Sequence, residues 1–211
     1  MKSRQEQRSE ETKEQILKAA GTLFAKKGFD SVSIREIAKD AGCSHTTIYL
    51  YFKDKEALLH QLSMPSLERL YKQLLQISLM DTLTPEARLK GISREYIQFC
   101  LENRNMFDVF FNAKSTRVDE LEPELEINKL RLEIFALMKQ VLQDCLSMPD
   151  DELLLNFSRT FYYQLNGILS TYSYLHESIP VLMKRLEPTF DLSVEILILG
   201  FKEKISQKGN E

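Results

Sequence analysis

The sequence predicts an all-α protein, with an N-terminal three-helix helix-turn-helix head followed by a larger helical domain, about nine helices in total. Three observations predict it. Of 211 residues only seven are Gly and six are Pro, and every Pro lies beyond residue 60, which disfavours a turn-rich β protein. Apolar residues recur at spacings of three and four rather than in alternation. Helix start and stop signals punctuate the chain at matching places. An apolar content of 43% can fill one sizeable core or two modest ones. The expected division is a disordered tail over 1–10, a head over 11–56 and a second domain over 57–211.

The first helix is expected from about Thr12, where Ile16, Leu17, Ala20, Leu23 and Phe24 form one stripe. Gly28 ends it, after Lys26 and Lys27, cations well placed at a helix C-terminus. Ser33-x-x-Glu36 is a capping box, and Ile34, Ile37, Ala38 and Ala41 give one short helix that stops at Gly42. Ser44 is a good N-cap for a third helix, whose Ile48 and Phe52 point to the core. The fourth is expected from Lys55 to about Met80, bent or interrupted near Pro65. Thr84-Pro85-Glu86 starts a fifth that runs to about Glu102. Shorter helical material follows at Asn105 to Ala113, then a polar break over Ser115 to Glu120 and a long helix from about Pro123 to Cys145. The last two helices are expected at Asp150 to Tyr174 and, after Pro180 and Pro188, at Glu187 to Ser206.

Composition narrows the function classes. Three cysteines, Cys43, Cys100 and Cys145, with no C-x-x-C pair, suit neither a disulfide framework nor a cysteine zinc site. Neither an apolar run after the charged start nor a stretch of about 20 apolar residues is present, so a soluble cytoplasmic protein without membrane association is expected. His45, His60 and His176 have no metal-ligand spacing, and neither a phosphate-binding glycine motif nor a nucleophile elbow occurs. No catalytic residue, metal or cofactor is therefore expected, and an enzyme is disfavoured. Net charge is −3, yet residues 1–60 hold eleven Lys/Arg against nine Asp/Glu while residues 61–211 hold 17 against 22. A basic head on an acidic body is compatible with DNA contact by the head alone. Lys2, Arg4 and Arg8 in the tail could brush a minor groove.

The tight turn Ala41-Gly42-Cys43-Ser44 between two short helices is a helix-turn-helix layout. With Ile48 and Phe52 turned inward, His45, Thr46 and Tyr49 lie where a recognition helix presents groups to a major groove. Residues 31–59, SVSIREIAKDAGCSHTTIYLYFKDKEALL, closely resemble the DNA-binding head of the TetR family of bacterial regulators. The match rests on Ser33, Ile37, Ala38, Ala41, Gly42, Ser44, Ile48, Tyr49, Tyr51, Phe52, Asp54, Lys55, Glu56 and Leu58, and the upstream segment Ile16 to Val32 fits the family's first helix. Downstream the likeness is one of helix count, length and order.

The resemblance implies that Ser33 and Arg35 touch the DNA backbone, that Ser44, Thr46 and Thr47 bind phosphate oxygens, and that Lys55 grips phosphate. It makes His45 and Tyr49 the base or sugar contacts, with Tyr51 beside them. Cys43 stands where the family usually has Val, Thr46 where Gly or Ala is frequent, and Leu50 where a polar or aromatic residue is common.

Apolar residues surround much of the last two helices, which asks for a partner helix. With the resemblance this implies a homodimer through Leu165, Leu169, Tyr172, Phe190, Val194, Leu197 and Phe201. Between head and dimer helices the resemblance implies a small-molecule pocket. Its candidate linings are Tyr96, Phe99, Cys100, Phe107, Phe110, Phe111, Met138, Phe161, Tyr162 and Asn166. Aromatic and Met residues with few charges suit an apolar or aromatic effector held by a Tyr hydroxyl or an Asn amide. The expectation is a ligand-responsive, dimeric transcriptional repressor acting on double-stranded DNA. The alternative is a helical scaffold whose head contacts protein.

Overall fold

The computed structural model describes residues 3–117, 120, 122–172 and 177–208. Among them the elements are helices α1 (Arg4–Lys27), α2 (Ile34–Asp40), α3 (His45–Tyr51), α4 (Lys55–Ser78) and α5 (Pro85–Glu102), followed by a 3-10 turn (Arg104–Met106) and a π-helical turn (Asp108–Asn112). Helices α6 (Glu126–Leu146), α7 (Glu152–Thr171) and α8 (Ile179–Lys208) complete the fold, and no β-strand occurs among the described residues. The all-α expectation holds. Lys2, Tyr174 and His176 of the sequence reading lie outside the described residues.

Helix starts follow local hydrogen bonding. Ser33 Oγ accepts from the Glu36 N–H at 3.3 Å while the Glu36 carboxylate accepts from the Ser33 N–H at 2.8 Å, the reciprocal box that satisfies two orphan donors at once. The same device at Ser3 and Glu6 starts α1 at Arg4, so most of the segment expected to be a disordered tail is helix. Thr84 Oγ1 caps α5 through the Ala87 N–H at 3.2 Å, and Asp151 caps α7 through the Leu154 N–H at 2.9 Å.

Two prolines are accommodated rather than obeyed. Helix α4 continues past Pro65, which is exposed, so water can meet the carbonyl left without its N–H partner. Helix α8 begins at Ile179 rather than near Glu187. Pro180 sits in its first turn, where an absent N–H costs nothing, and Pro188 is exposed inside it.

The chain forms two compact units. The first runs to Glu68 and adds Asn105–Thr116 and Pro123–Asn128, so the head is larger than the 11–56 expected. Ile16, Ala20 and Phe24 of α1, Phe29 and Val32 of the link, Ile37 and Ala38 of α2, and Ile48, Phe52, Leu58 and Leu59 are all buried. Phe24 and Phe29 meet with ring centroids 5.1 Å apart. Val109 and Phe110 of the π-helical turn, which packs against α1, are buried as well.

The second unit contains Arg69–Arg104 and the chain from Lys129 onward. Helix α5 packs on α7 and α8, burying Leu89, Ile92, Tyr96 and Ile97 with Phe161, Leu165, Phe190, Val194 and Ile198. Acids on one edge of α8 pair with bases of α5. Glu195 accepts from Lys90 at 2.5 Å, and Arg94 pairs with Glu187 and, at 3.6 Å, with Asp191. Phe157 of α7 stacks on Phe201 of α8, centroids 4.2 Å apart.

Candidate nucleic-acid interface

Helix α3 follows α2 after only four residues, and Gly42 makes this possible. Its φ is +68°, a left-handed conformation costly for residues with a Cβ. The chain reverses there so tightly that the Cys43 N–H reaches the Ala38 carbonyl at 3.0 Å. Ser44 then starts α3, its Oγ accepting from the Thr47 N–H at 3.0 Å and lying 2.8 Å from the Thr47 hydroxyl. Ile48 and Phe52 are buried and anchor one side of a helix of seven residues.

The opposite side is open. His45, Thr46, Tyr49 and Leu50 are exposed, Tyr49 by 52% and Leu50 by 79%. Ser33, Arg35 and Ser44 are also exposed, so these expected contacts share the head's surface, while Thr47 is half-buried. Tyr51 is half-buried too, and its hydroxyl accepts from Ser9 of α1 at 3.2 Å.

Lys55 has partners within the head. Its ammonium donates to the carbonyls of Phe29 at 2.8 Å and Val32 at 3.0 Å, lies 3.4 Å from that of Asp30, and sits 4.4 Å from the Phe29 ring centroid. An ammonium has three donors, so Lys55 fastens the α1–α2 link. Lys13 is committed in a weaker way, 5.9 Å from the Phe52 ring centroid. Lys27 bonds Glu36 at 2.9 Å. That bond, with the Ser33 N–H and hydroxyl, lowers the Glu36 carboxyl to about 2. Partial burial pushes the Cys43 thiol up, which keeps it protonated and argues for a packing role. Lys53, just past α3, is exposed. The sequence reading passed over it, although its position two residues beyond Tyr51 was a usable signal.

In the second unit, Tyr96, Phe99, Cys100, Met138 and Phe161 are buried, and Tyr162 and Asn166 are half-buried. The Tyr96 hydroxyl donates to Asn166 Oδ1 at 3.5 Å, the Asn166 amide donates to the Tyr162 carbonyl at 2.8 Å, and Phe135 meets Tyr162 edge-on at 5.8 Å. Burial pushes the Tyr96, Cys100 and Tyr162 groups up. Arg131, missed in the sequence, lies near Tyr162, and burial brings its guanidinium down to about 10. A cleft of about 430 Å³ in this unit is lined by Tyr71, Leu75, Ser78, Leu79, Arg88, Glu133, Ala136, Leu137, Gln140, Val141 and Asp144, none of them among the expected linings. Phe107, Phe110 and Phe111 belong to the first unit. There Phe110 lines an open groove of about 710 Å³ with Leu17, Gly21, Leu62 and Met106.

The residues expected to receive a second chain differ in their exposure. Leu165, Phe190, Val194 and Phe201 are buried within the protomer, and Leu169, Tyr172 and Leu197 are half-buried. Tyr163 of α7 and Leu192, Ile196 and Leu199 of α8 are the exposed ones. Burial of Phe190, Val194, Ile198 and Phe201 turns the other side of α8 outward, and the ion pairs of Lys90 and Arg94 lie along its edge. No helix among the described residues is long and apolar enough to cross a membrane.

A short helix anchored by two apolar residues after a tight glycine turn defines the helix-turn-helix class. Residues 16–62 match the family model for bacterial regulatory proteins of the tetR family. Through this head the chain is similar to the TetR family. Over 49 residues it is 55% identical to the uncharacterized HTH-type transcriptional regulator YerO of Bacillus subtilis, covering 23% of this chain and 17% of that protein. The HTH-type transcriptional repressor KstR2 of Mycolicibacterium smegmatis is 28% identical over 120 residues, 56% of this chain and 57% of its own. The chain thus spans less than two thirds of these relatives. Among solved structures, the regulator FadR of Bacillus subtilis in complex with stearoyl-CoA shares the fold, with a TM-score of 0.62, 18% identity, and coverage of 87% of this chain and 96% of its own.

Proposed function

We propose that the chain is a DNA-binding transcriptional regulator, a repressor that grips a near-palindromic operator as a dimer and lets go when an apolar or aromatic small molecule binds. The observation that carries it is the face of α3: His45, Thr46, Tyr49 and Leu50 stand exposed while Ile48 and Phe52 hold the helix to the core. One such helix reads only a few base pairs, and two related by a twofold axis reach successive major grooves roughly 34–36 Å apart. The exposed apolar stripe Leu192, Ile196 and Leu199, with Tyr163, supports the pairing, since side chains of this size are normally covered. Repression is supported by the name of KstR2.

An apolar effector is supported by the FadR complex, whose ligand carries a long acyl chain. In this chain Tyr96, Tyr162, Asn166 and Arg131 supply hydroxyl, amide and guanidinium groups for its polar end. To act, the effector must bind the released state more tightly than the operator-bound one.

Selection of bound sequences from a random duplex pool tests the proposal. The expected product is one enriched near-palindrome whose affinity falls with salt by a log–log slope of about −0.9 per neutralised phosphate. Absence of any enrichment, even at low ionic strength, overturns it.

A further inference from the structure

Among the described residues, Tyr49 and Leu50 are the two exposed large apolar ones of the first unit, adjacent on α3. Leu50 is the more exposed, at 79%. At about 100° per residue, it projects about half a turn from the mean direction of Ile48 and Phe52, so it points most directly away from the core. A helix that enters a groove with this face leading carries a leucine at its crest. Leucine has neither donor nor acceptor. Set against a G·C edge, or against the N7 and N6 groups of adenine, it would desolvate polar atoms without replacing their hydrogen bonds. The major groove offers one apolar group that it can cover, the C5-methyl of thymine.

We propose that Leu50 is a specificity-determining residue that reads a thymine methyl group in each half-site. The inference rests on the DNA-binding reading above and adds a base preference to it. Water leaves two apolar surfaces when Leu50 meets the methyl, and no hydrogen bond is lost. Thr46 and Tyr49, which flank it on the exposed face, and His45 at the start of the helix carry the polar groups for neighbouring positions.

The test uses the full chain and the duplex enriched from a random pool. Each thymine is replaced in turn by deoxyuridine, which keeps pairing and every hydrogen-bonding group and removes only the methyl. Affinities are measured for the unaltered protein and for Leu50→Ala, whose helix content is checked by circular dichroism. The expected result is a loss of about fourfold at one symmetry-related thymine per half-site, from a methyl's burial of about 0.8 kcal/mol. That loss should vanish in Leu50→Ala, which should bind the thymine and deoxyuridine duplexes alike. If no thymine is sensitive, or if the sensitivity persists in Leu50→Ala, the assignment is overturned while DNA binding stands. If no duplex is enriched, the DNA-binding reading falls and takes the assignment with it.

Discussion

Lys55 is tied into the head by its own ammonium. Its ammonium faces the carbonyls of Phe29 and Val32 at 2.8 and 3.0 Å, so its charge supports the head from within. Replacing Lys55 with Met should lower the unfolding free energy by about 1–2 kcal/mol, the scale of charge-assisted hydrogen bonds, and leave the salt slope of DNA binding unchanged. Lys53→Ala should do the reverse, flattening the slope by about 0.9 for each phosphate lost and leaving stability intact. Denaturant titration and salt-dependent gel shifts separate the two. Glu36 supplies a pH dependence. Its folded value, about 2, lies below the ordinary 4.5, so the unfolded chain takes up this proton first as acid is added. The stabilisation is complete above about pH 5 and is lost as pH falls toward 2. Because the group is exposed, solvent screens it, and Glu36→Gln should soften the acid limb of the stability curve only modestly. Thr46 was legible as a surface group because helical spacing sets it nearly opposite Ile48, whereas His45, three residues before Ile48, is exposed because it opens the helix. The work of Lys55 was not legible, since it depends on carbonyls 23 to 26 residues away in the chain.

At the scale of the element, what the sequence revealed were interactions three or four residues long. The starts of α2, α3, α5 and α7 follow Ser33, Ser44, Thr84 and Asp151, each a side chain reaching a nearby N–H. The box at Ser3 and Glu6 is the same signal, passed over because no apolar residue occurs between Met1 and Ile16. Prolines misled for the opposite reason. Pro180 and Pro188 read as breaks, whereas a first-turn position and an exposed side leave α8 intact. Caps as local as these have predictable worth. Ser44→Ala should cost about 1 kcal/mol of unfolding free energy, and Gly42→Ala roughly 1–2 kcal/mol through its φ of +68°. Both should weaken DNA binding, because α3 loses its start or its entry angle. Chemical denaturation followed by circular dichroism measures the cost. A Gly42→Ala protein as stable as the parent would refute the argument from the turn.

For the molecule as a whole, the division of labour between core and partner surface was the least legible feature. Both sides of α8 are apolar: Phe190, Val194, Ile198 and Phe201 on one, Leu192, Ile196 and Leu199 on the other. Periodicity alone cannot say which meets its own chain. The packing of α5 on α8 decides it, between positions about a hundred residues apart in sequence, with the ion pairs of Lys90 and Arg94 at its edge. Membership of the head was hidden likewise, because Asn105–Thr116 returns to it from a distance. The central claim is that two heads act together, joined through the exposed stripe. The most direct test compares the parent and Ile196→Glu on the selected palindrome and on a single half-site, with mass followed by sedimentation. The account predicts a parental dimer that prefers the full site by a factor on the order of 100 or more, and a variant that sediments as a monomer and binds both sites equally weakly. A parent that binds as one copy, with equal affinity for half-site and palindrome, would contradict it.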